Sequence, residues 1–204
     1  MTREAQSKQR DAALRRVQAH LAAGVAVRQE CLRAHTEKIA AAACLVIEAV
    51  LRGGRIYLFG NGGSAADAQH LAAEFVGKFA CPRTPIPAVA LTTDTSVLTS
   101  IANDFGYDQV FARQVEALVR EGDVAIALST SGGSASVVRG AEAARRAGAR
   151  VIALTGRDGG TLAALVDVAI QAPSEQTALI QEAHIAIGHA ICATVEEAWV
   201  AADR

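Results

Sequence analysis

Aromatic residues are scarce in this sequence: Phe, Trp and Tyr make up 4% of its 204 residues, with a single Trp and a single Met. That excludes a core built on large rings and leaves Ala and Val to supply much of the apolar content, which suits close packing of helices on a sheet. Proline is confined to Pro82, Pro85, Pro87 and Pro173, so nothing breaks a helix over residues 5–52. The four cysteines, Cys31, Cys44, Cys81 and Cys192, form no CxxC pair. This excludes a zinc ribbon and a thioredoxin-type site, and it is what reduced thiols would look like. Charge of neither sign dominates: 20 Lys and Arg stand against 21 Asp and Glu, a formal net charge of −1. Nothing suggests a nucleic-acid partner held by phosphate neutralisation. No apolar run approaches the roughly 18 residues of a membrane span. The polar start MTREAQSKQR has no apolar signal core, so a cytoplasmic protein with no membrane partner is expected.

What is present is an ordinary globular balance, 51% hydrophobic and 20% charged, which argues against disorder. The length predicts one domain over residues 1–204, with a helical N-terminal arm at 1–52 and a core at 53–204. In the arm, Leu14, Val17, Leu21 and Val25 recur at helical spacing. Residues 35–51 are almost uniformly apolar after Lys38 (IAAAACLVIEAVL), so this stretch should be buried, in the fold or against another subunit. Gly53-Gly54 supplies its C-cap. Strand-like runs then appear at 55–59 (RIYLF), 88–91, 124–128 (VAIAL), 151–154 and 166–170, alternating with helical stretches at 65–78, 109–120, 135–147 and 175–201. Alternation of this kind predicts βαβ units, and continuous apolar strands predict cover on both faces. The expected fold class is α/β, a three-layer sandwich around a five-stranded parallel sheet, preceded by the helical arm.

Two glycine-rich turns follow the first and third strands: Gly60-Asn61-Gly62-Gly63-Ser64 and Ser129-Thr130-Ser131-Gly132-Gly133-Ser134. The tetrapeptide Gly-Gly-Ser-Ala occurs in both, at 62–65 and 132–135, which suggests equivalent places in the sheet. Ligands of open α/β sheets bind at the carboxyl ends of the strands, and helix starts there hold phosphate through unpaired N–H groups. The hydroxyls of Ser129, Thr130, Ser131 and Ser134 exceed what one helix cap requires. The first turn also fits G-x-G-x-x-A (Gly60, Gly62, Ala65), but residues 78–86 lack the acidic group that a dinucleotide ribose needs, and no G-x-x-x-x-G-K-[ST] occurs. A sugar phosphate suits the pair of turns better than a dinucleotide.

His70 and Glu74, four residues apart, share one helix face; this is not the H-E-x-x-H pattern of a metalloprotease. The spacing alone equally describes an exposed helix pair. On the last helix, Gln181 and His189 lie about 80° apart around the axis, whereas His184 falls about 140° from His189, so the two histidines cannot aim at one centre. Polar groups in this apolar stretch are either satisfied core residues or functional ones. Asn103-Asp104 follows the second strand by a dozen residues, in a connection from which polar groups can reach a ligand.

Taken in order, Gly60-Asn61-Gly62-Gly63-Ser64, Asp67-Ala68-Gln69-His70 with Glu74, Asn103-Asp104-Phe105-Gly106, Ser129-Thr130-Ser131-Gly132 and Gln181-Glu182-Ala183-His184 resemble the phosphoheptose isomerases, members of the sugar isomerase (SIS) domain group with a flavodoxin-like core. The resemblance runs over nearly the whole chain. It implies a homotetramer with active sites between subunits. The implied reaction is aldose–ketose isomerisation of sedoheptulose 7-phosphate to D-glycero-D-manno-heptose 7-phosphate, the first step toward ADP- or GDP-heptose. It also implies one zinc ion per subunit, with His70, Glu74, Gln181 and His189 as ligands, and Glu74 and His189 as the acid–base pair. Asn61, Gly62, Gly63, Ser64, Glu74, Asn103, Asp104, Ser129, Thr130, Ser131, Ser134 and Gln181 would contact the substrate. An amide oxygen is a weak zinc ligand, so labile metal occupancy is expected.

Two departures stand out. Gly133 replaces an asparagine common in relatives, and Ala178-Leu179 replace an Asp-Arg or Ala-Arg pair, which leaves the exact sugar open. A non-catalytic relative that binds the replication initiator DnaA is the main alternative. Its counterpart of His189 resembles asparagine, so the histidine here favours the enzyme. A regulatory SIS module, or an isomerase of another sugar phosphate, completes the alternatives.

Overall fold

The computed structural model describes residues 3–202; residues 1–2 and 203–204, included in the expected domain span, lie outside them. A single helix α1 (Arg3–Leu51) forms the arm over the described residues. At 49 residues it is about 74 Å long. Its two halves meet different surroundings. Ala42, Ala43, Val46, Ala49 and Val50 are buried, whereas Leu14, Val17, Leu21, Val25 and Leu32 are exposed. The helix closes as the glycine pair predicts: Gly53 N–H donates to Val50 and Gly54 N–H to Ala49, with Gly53 at φ +85, a Schellman arrangement.

The strands are β1 (Ile56–Gly60), β2 (Ala88–Ala90), β3 (Val124–Ser129), β4 (Arg150–Gly156) and β5 (Val168–Ala172). They form one parallel sheet in the order β2-β1-β3-β4-β5. The helices are α2 (Gly63–Val76), α3 (Thr95–Phe105), α4 (Ala112–Leu118), α5 (Ala135–Arg146), the one-turn α6 (Gly160–Ala163) and α7 (Thr177–Ala202). Strand residues alternate between two cores. Ile56, Leu58, Val124, Ile126, Leu128, Ile152 and Leu154 pack under α1, α2 and α7. Tyr57, Phe59, Ala125, Ala127, Val151 and Ala153 pack under α3, α4 and α5. On this face β3 presents two alanines, Ala125 and Ala127, and β4 a third, Ala153. There α5 approaches the sheet so closely that a Cβ on Gly140 would stand 2.8 Å from the Phe59 ring.

This is the expected three-layer α/β sandwich, and its corrections are local. The connection assigned to 92–108 contains α3, so Asn103 and Asp104 sit on the last turn of a helix. Its Thr- and Ser-rich start disfavours helix by propensity, but Asp94 caps it by accepting from Val97 N–H. The expected helix at 109–120 is divided into a 3-10 turn (Tyr107–Gln109) and α4. β5 begins two residues later than the apolar run suggested, and α6 was not anticipated.

α7 is long and apolar enough to cross a membrane by length and composition, but half of its apolar window is buried within the fold. It packs along α1, α2 and the sheet, which accounts for its apolar character as that of a core helix.

Candidate active site

The chain leaves β1 toward β2 on one side and reaches β3 on the other, so the topological switch point lies between β1 and β3. Gly60 pairs with Leu128 in register, which brings the two glycine-rich turns side by side. From there α2 descends on one face of the sheet and α5 on the other. Neither helix start is closed by a side-chain hydrogen bond from its N-cap, Gly62 or Ser134. The first-turn N–H groups of α2 are nevertheless donated already, Ser64 to the Asn61 carbonyl and Ala65 and Ala66 to that of Gly62, whereas those of Ala135, Ser136 and Val137 on α5 have no acceptor among the described residues, so it is the α5 start beside this crevice that suits an anion.

Asn61 ties the turns together. Its Nδ2 donates to the Ser134 hydroxyl at 2.8 Å and the Ser136 hydroxyl at 2.9 Å. Its Oδ1 accepts from the Tyr107 hydroxyl at 2.9 Å. Within the second turn, Ser129 Oγ accepts from Gly132 N–H and Ser131 Oγ accepts from Gly133 N–H, both at 3.2 Å. Both hydroxyls keep their own protons free to donate to a ligand. Ser64 and Ser129 are buried, Thr130 and Ser134 half-buried, and Ser131 exposed. Around Gly133 there is room for a side chain, the nearest atom to a built Cβ being Ser131 Oγ at 4.0 Å, so the asparagine of relatives is not excluded by packing.

On the α2 side of the crevice, His70 and Glu74 meet His189 of α7. His70 Nε2 lies 2.8 Å from His189 Nε2 and 3.5 Å from a Glu74 carboxylate oxygen. The three ligand atoms all fall within 4.8 Å of one another. Two facing Nε2 atoms at this distance must share one proton or face a common cation. Ligands about 2.0–2.1 Å from a tetrahedral zinc stand about 3.3 Å apart, so the spacings of His70 Nε2 to His189 and to Glu74 are within about 0.5 Å of what the ion needs, and the donor types suit it. Beneath the cluster lies Cys192, whose thiol is pushed up to about 12 by burial and by the Glu74 carboxylate. It is an inert packing group. One turn before His70, burial raises the Asp67 carboxyl while His70 pulls it down, and its Oδ2 has no hydrogen-bond partner among the described residues.

The fourth expected ligand, Gln181, stands eight residues from His189, about 12 Å along α7. Its amide lies against Gly63, so closely that a Cβ there would overlap it. The structure thus brings His70, Glu74 and His189 together and sets Gln181 on the first turn. Asn103 and Asp104 are exposed and bonded to each other at 2.7 Å. His184 belongs to the core: it is fully buried, and its Nε2 donates to the Thr155 carbonyl at 2.9 Å. Burial pushes it down to about 4, so its imidazole is neutral. Of the departures, Leu179 is buried in the core and Ala178 is exposed.

Several residues around the site escaped the sequence. Tyr107 carried no local signal. Ser136 is one more hydroxyl just past the second turn. Phe79, whose ring lies 5.6 Å from that of His189, follows the end of α2. Glu196, a buried carboxylate in an otherwise apolar helix, was legible as an anomaly.

Residues 19–156 match the family model of the SIS domain. The chain is 52% identical over 174 residues to the phosphoheptose isomerase of Roseiflexus sp. (strain RS-1), covering 85% of this chain and 88% of that protein. Among solved structures it is similar to the phosphoheptose isomerase from Neisseria gonorrhoeae, with TM-score 0.86 and 47% identity, covering 91% of this chain and 99% of the other. It is also similar to the one from Francisella tularensis, with TM-score 0.87 and 34% identity, covering 91% and 98%.

Proposed function

Because the chain belongs to the phosphoheptose isomerase family of SIS-domain proteins, we propose that it converts sedoheptulose 7-phosphate to D-glycero-D-manno-heptose 7-phosphate by acid–base enediol chemistry. The observation that carries this is the convergence of His70, Glu74 and His189 on α2 and α7, with α2 rising from one side of the switch point and the open start of α5 from the other. Residues 1–204 are read as one SIS domain.

The phosphate is held by the α5 start, with Ser129, Thr130, Ser131 and Ser134 as neutral donors. Asn61, Gly62, Gly63, Ser64 and Gln181 line the first turn, where the sugar chain lies, and Asn103 and Asp104 approach from α3. Glu74 takes the proton from C1 and His189 carries the proton from O1 to O2. Return of a proton to C2 completes the exchange. His70, Glu74 and His189 would hold zinc, one ion per subunit; Gln181, the fourth donor in this reading, would have to swing from its place against Gly63 to reach it. When bound, zinc supplies Lewis-acid polarisation of the sugar carbonyl. Neutral imidazoles and an ionised carboxylate are the forms these residues need for both roles.

The same reading includes a homotetramer with sites between subunits, supported by the exposed apolar positions Leu14, Val17, Leu21, Val25 and Leu32 on α1. It also includes a cytoplasmic location, consistent with four free cysteines. Retention of His189 within the cluster favours the enzyme over an initiator-binding adaptor.

The test is mass-resolved product analysis with sedoheptulose 7-phosphate in deuterated water, with and without zinc. An aldoheptose 7-phosphate carrying deuterium at C2 is expected. Absence of product from the folded protein in both conditions would overturn the isomerase. Product without deuterium would overturn a solvent-exchanging enediol.

A further inference from the structure

Behind the His70–Glu74–His189 cluster, α2 and α7 are joined by a buried ion pair. Glu196 lies seven residues after His189, on nearly the same face of α7 and about 10.5 Å further along. Its side chain is 4% exposed and that of Arg83 is 2% exposed. The Glu196 carboxylate accepts from Arg83 Nε at 3.0 Å and from three successive backbone N–H groups: Phe79 at 2.8 Å, Ala80 at 2.7 Å and Cys81 at 3.2 Å. Burial alone would raise this carboxyl, but the backbone donors and Arg83 outweigh it and hold it below the usual range. Arg83 spends its remaining donors on α2 and the strap that follows. Nη2 donates to the Glu74 carbonyl at 2.8 Å, and Nη1 to the carbonyls of Gly77 at 3.4 Å and Thr84 at 3.0 Å.

The pair therefore grips three things at once. It caps the last turn of α2 at the carbonyl of Glu74 itself. It fixes that turn against α7 two turns beyond His189. It folds the strap so that Phe79 rests on the His189 ring. Packing of α2 would not require it, since Leu71 and Phe75 already bury the helix. A buried ion pair also stabilises no more than apolar residues of similar volume. What apolar residues could not do is set the backbone register of both helices at the site.

We propose that Arg83 and Glu196 are positioning residues for the isomerase site, holding Glu74 and His189 at the separation their shared cation and acid–base work require. This rests on the isomerase reading given above. The pair lies at the opposite end of α2 from the glycine-rich turns, so it acts on the proton-transfer end and leaves phosphate binding alone.

The test uses Arg83→Lys and Glu196→Gln in the full chain, assayed well below the melting temperature of each folded variant. Turnover of sedoheptulose 7-phosphate is measured beside Zn2+ affinity, the latter by competition with a chelator and without substrate. Outer supports of metal ligands typically carry about 10–100-fold in affinity or activity. Falls of that size are expected in both kcat and Zn2+ affinity, with KM within about twofold of wild type. The proposal is overturned if a folded variant melts lower yet keeps wild-type kcat and Zn2+ affinity, the result of a purely structural pair. It is equally overturned if KM rises with kcat unchanged. Should either variant fail to fold, the other decides. If the wild-type protein itself turns over no sugar phosphate, the isomerase reading fails, and the Zn2+ titration alone still decides the clamp.

Discussion

The same four residues, Gly-Gly-Ser-Ala, begin two helices in two different ways. At 62–65 the helix starts on the second glycine, Gly63, and Ser64 is buried within its first turn. At 132–135 the helix starts two residues later, on Ala135, and Ser134 stays outside as an extended N-cap with its hydroxyl bonded to Asn61. The positive-φ glycine keeps its place as the first of the tetrapeptide, Gly62 at φ +56 and Gly132 at φ +64, so it directly precedes the first helix but stands three residues before the second. Local sequence is identical, so the neighbours decide. Gly63 is covered by the flexible amide of Gln181, whereas Gly132 lies against the backbone of Gly159 and Gly160. The first turn feeds the helix that carries His70 and Glu74, the latter the proposed base; the second is the turn proposed to bind the phosphate.

That division of labour can be broken most severely on the α2 side. Glu74→Gln should cost about a thousandfold in kcat, the scale of a positioned general base, with circular dichroism and oligomer size unchanged. A fully active variant would remove Glu74 as the base. Next comes the backbone of the second turn. Gly132→Ala combines a left-handed φ with overlap of the Gly159 carbonyl, and should cost about 3 kcal/mol in denaturant unfolding. Gly63→Ala meets only the movable Gln181 amide and should cost less than about 1 kcal/mol. Equal losses at the two glycines would erase the distinction between the turns.

Protonation sharpens the contrast between histidines in the site and in the core. His184 has a folded value of about 4 against an ordinary 6.5. The unfolded chain therefore takes up the proton first. The contribution to stability is whole above about pH 6.5 and declines as pH falls to about 4, by at most about 3 kcal/mol. His184→Gln should flatten the stability profile over that window; an unchanged slope would show that other groups set it. Smaller still, Ser131→Ala with Ser134→Ala should raise KM for the sugar phosphate about tenfold with kcat nearly constant, the signature of lost uniform binding. Tyr107→Phe, which removes one hydrogen bond to Asn61, should raise KM only a few-fold.

Much of this molecule is legible before folding. Apolar runs interrupted by glycine-rich turns specify parallel strands buried on both faces. Gly53-Gly54 specifies the end of α1. The spacing of His70 and Glu74 specifies a shared helix face. Other features are illegible for definite reasons. α3 hides behind residues of poor helix propensity until Asp94 is seen to cap it. The length of α1 was readable, but which of its apolar positions are covered was not, because Leu14 and Val46 differ only in what the rest of the chain brings to them. His184 and His189 looked alike as polar groups on an apolar helix; burial under Thr155 separates one from the other.

Local patterns thus determined the elements, their order and the chemical types gathered at the strand ends, since hydrophobic period and backbone freedom are encoded within a few neighbouring residues. The meeting of Glu74 with His189, the grip of Glu196 on residues 79–83, and the different starts of two identical tetrapeptides were decided only by the tertiary structure. Each depends on contacts between segments far apart in the chain, and those distances close only when α2 and α7 pack on the same face of the sheet.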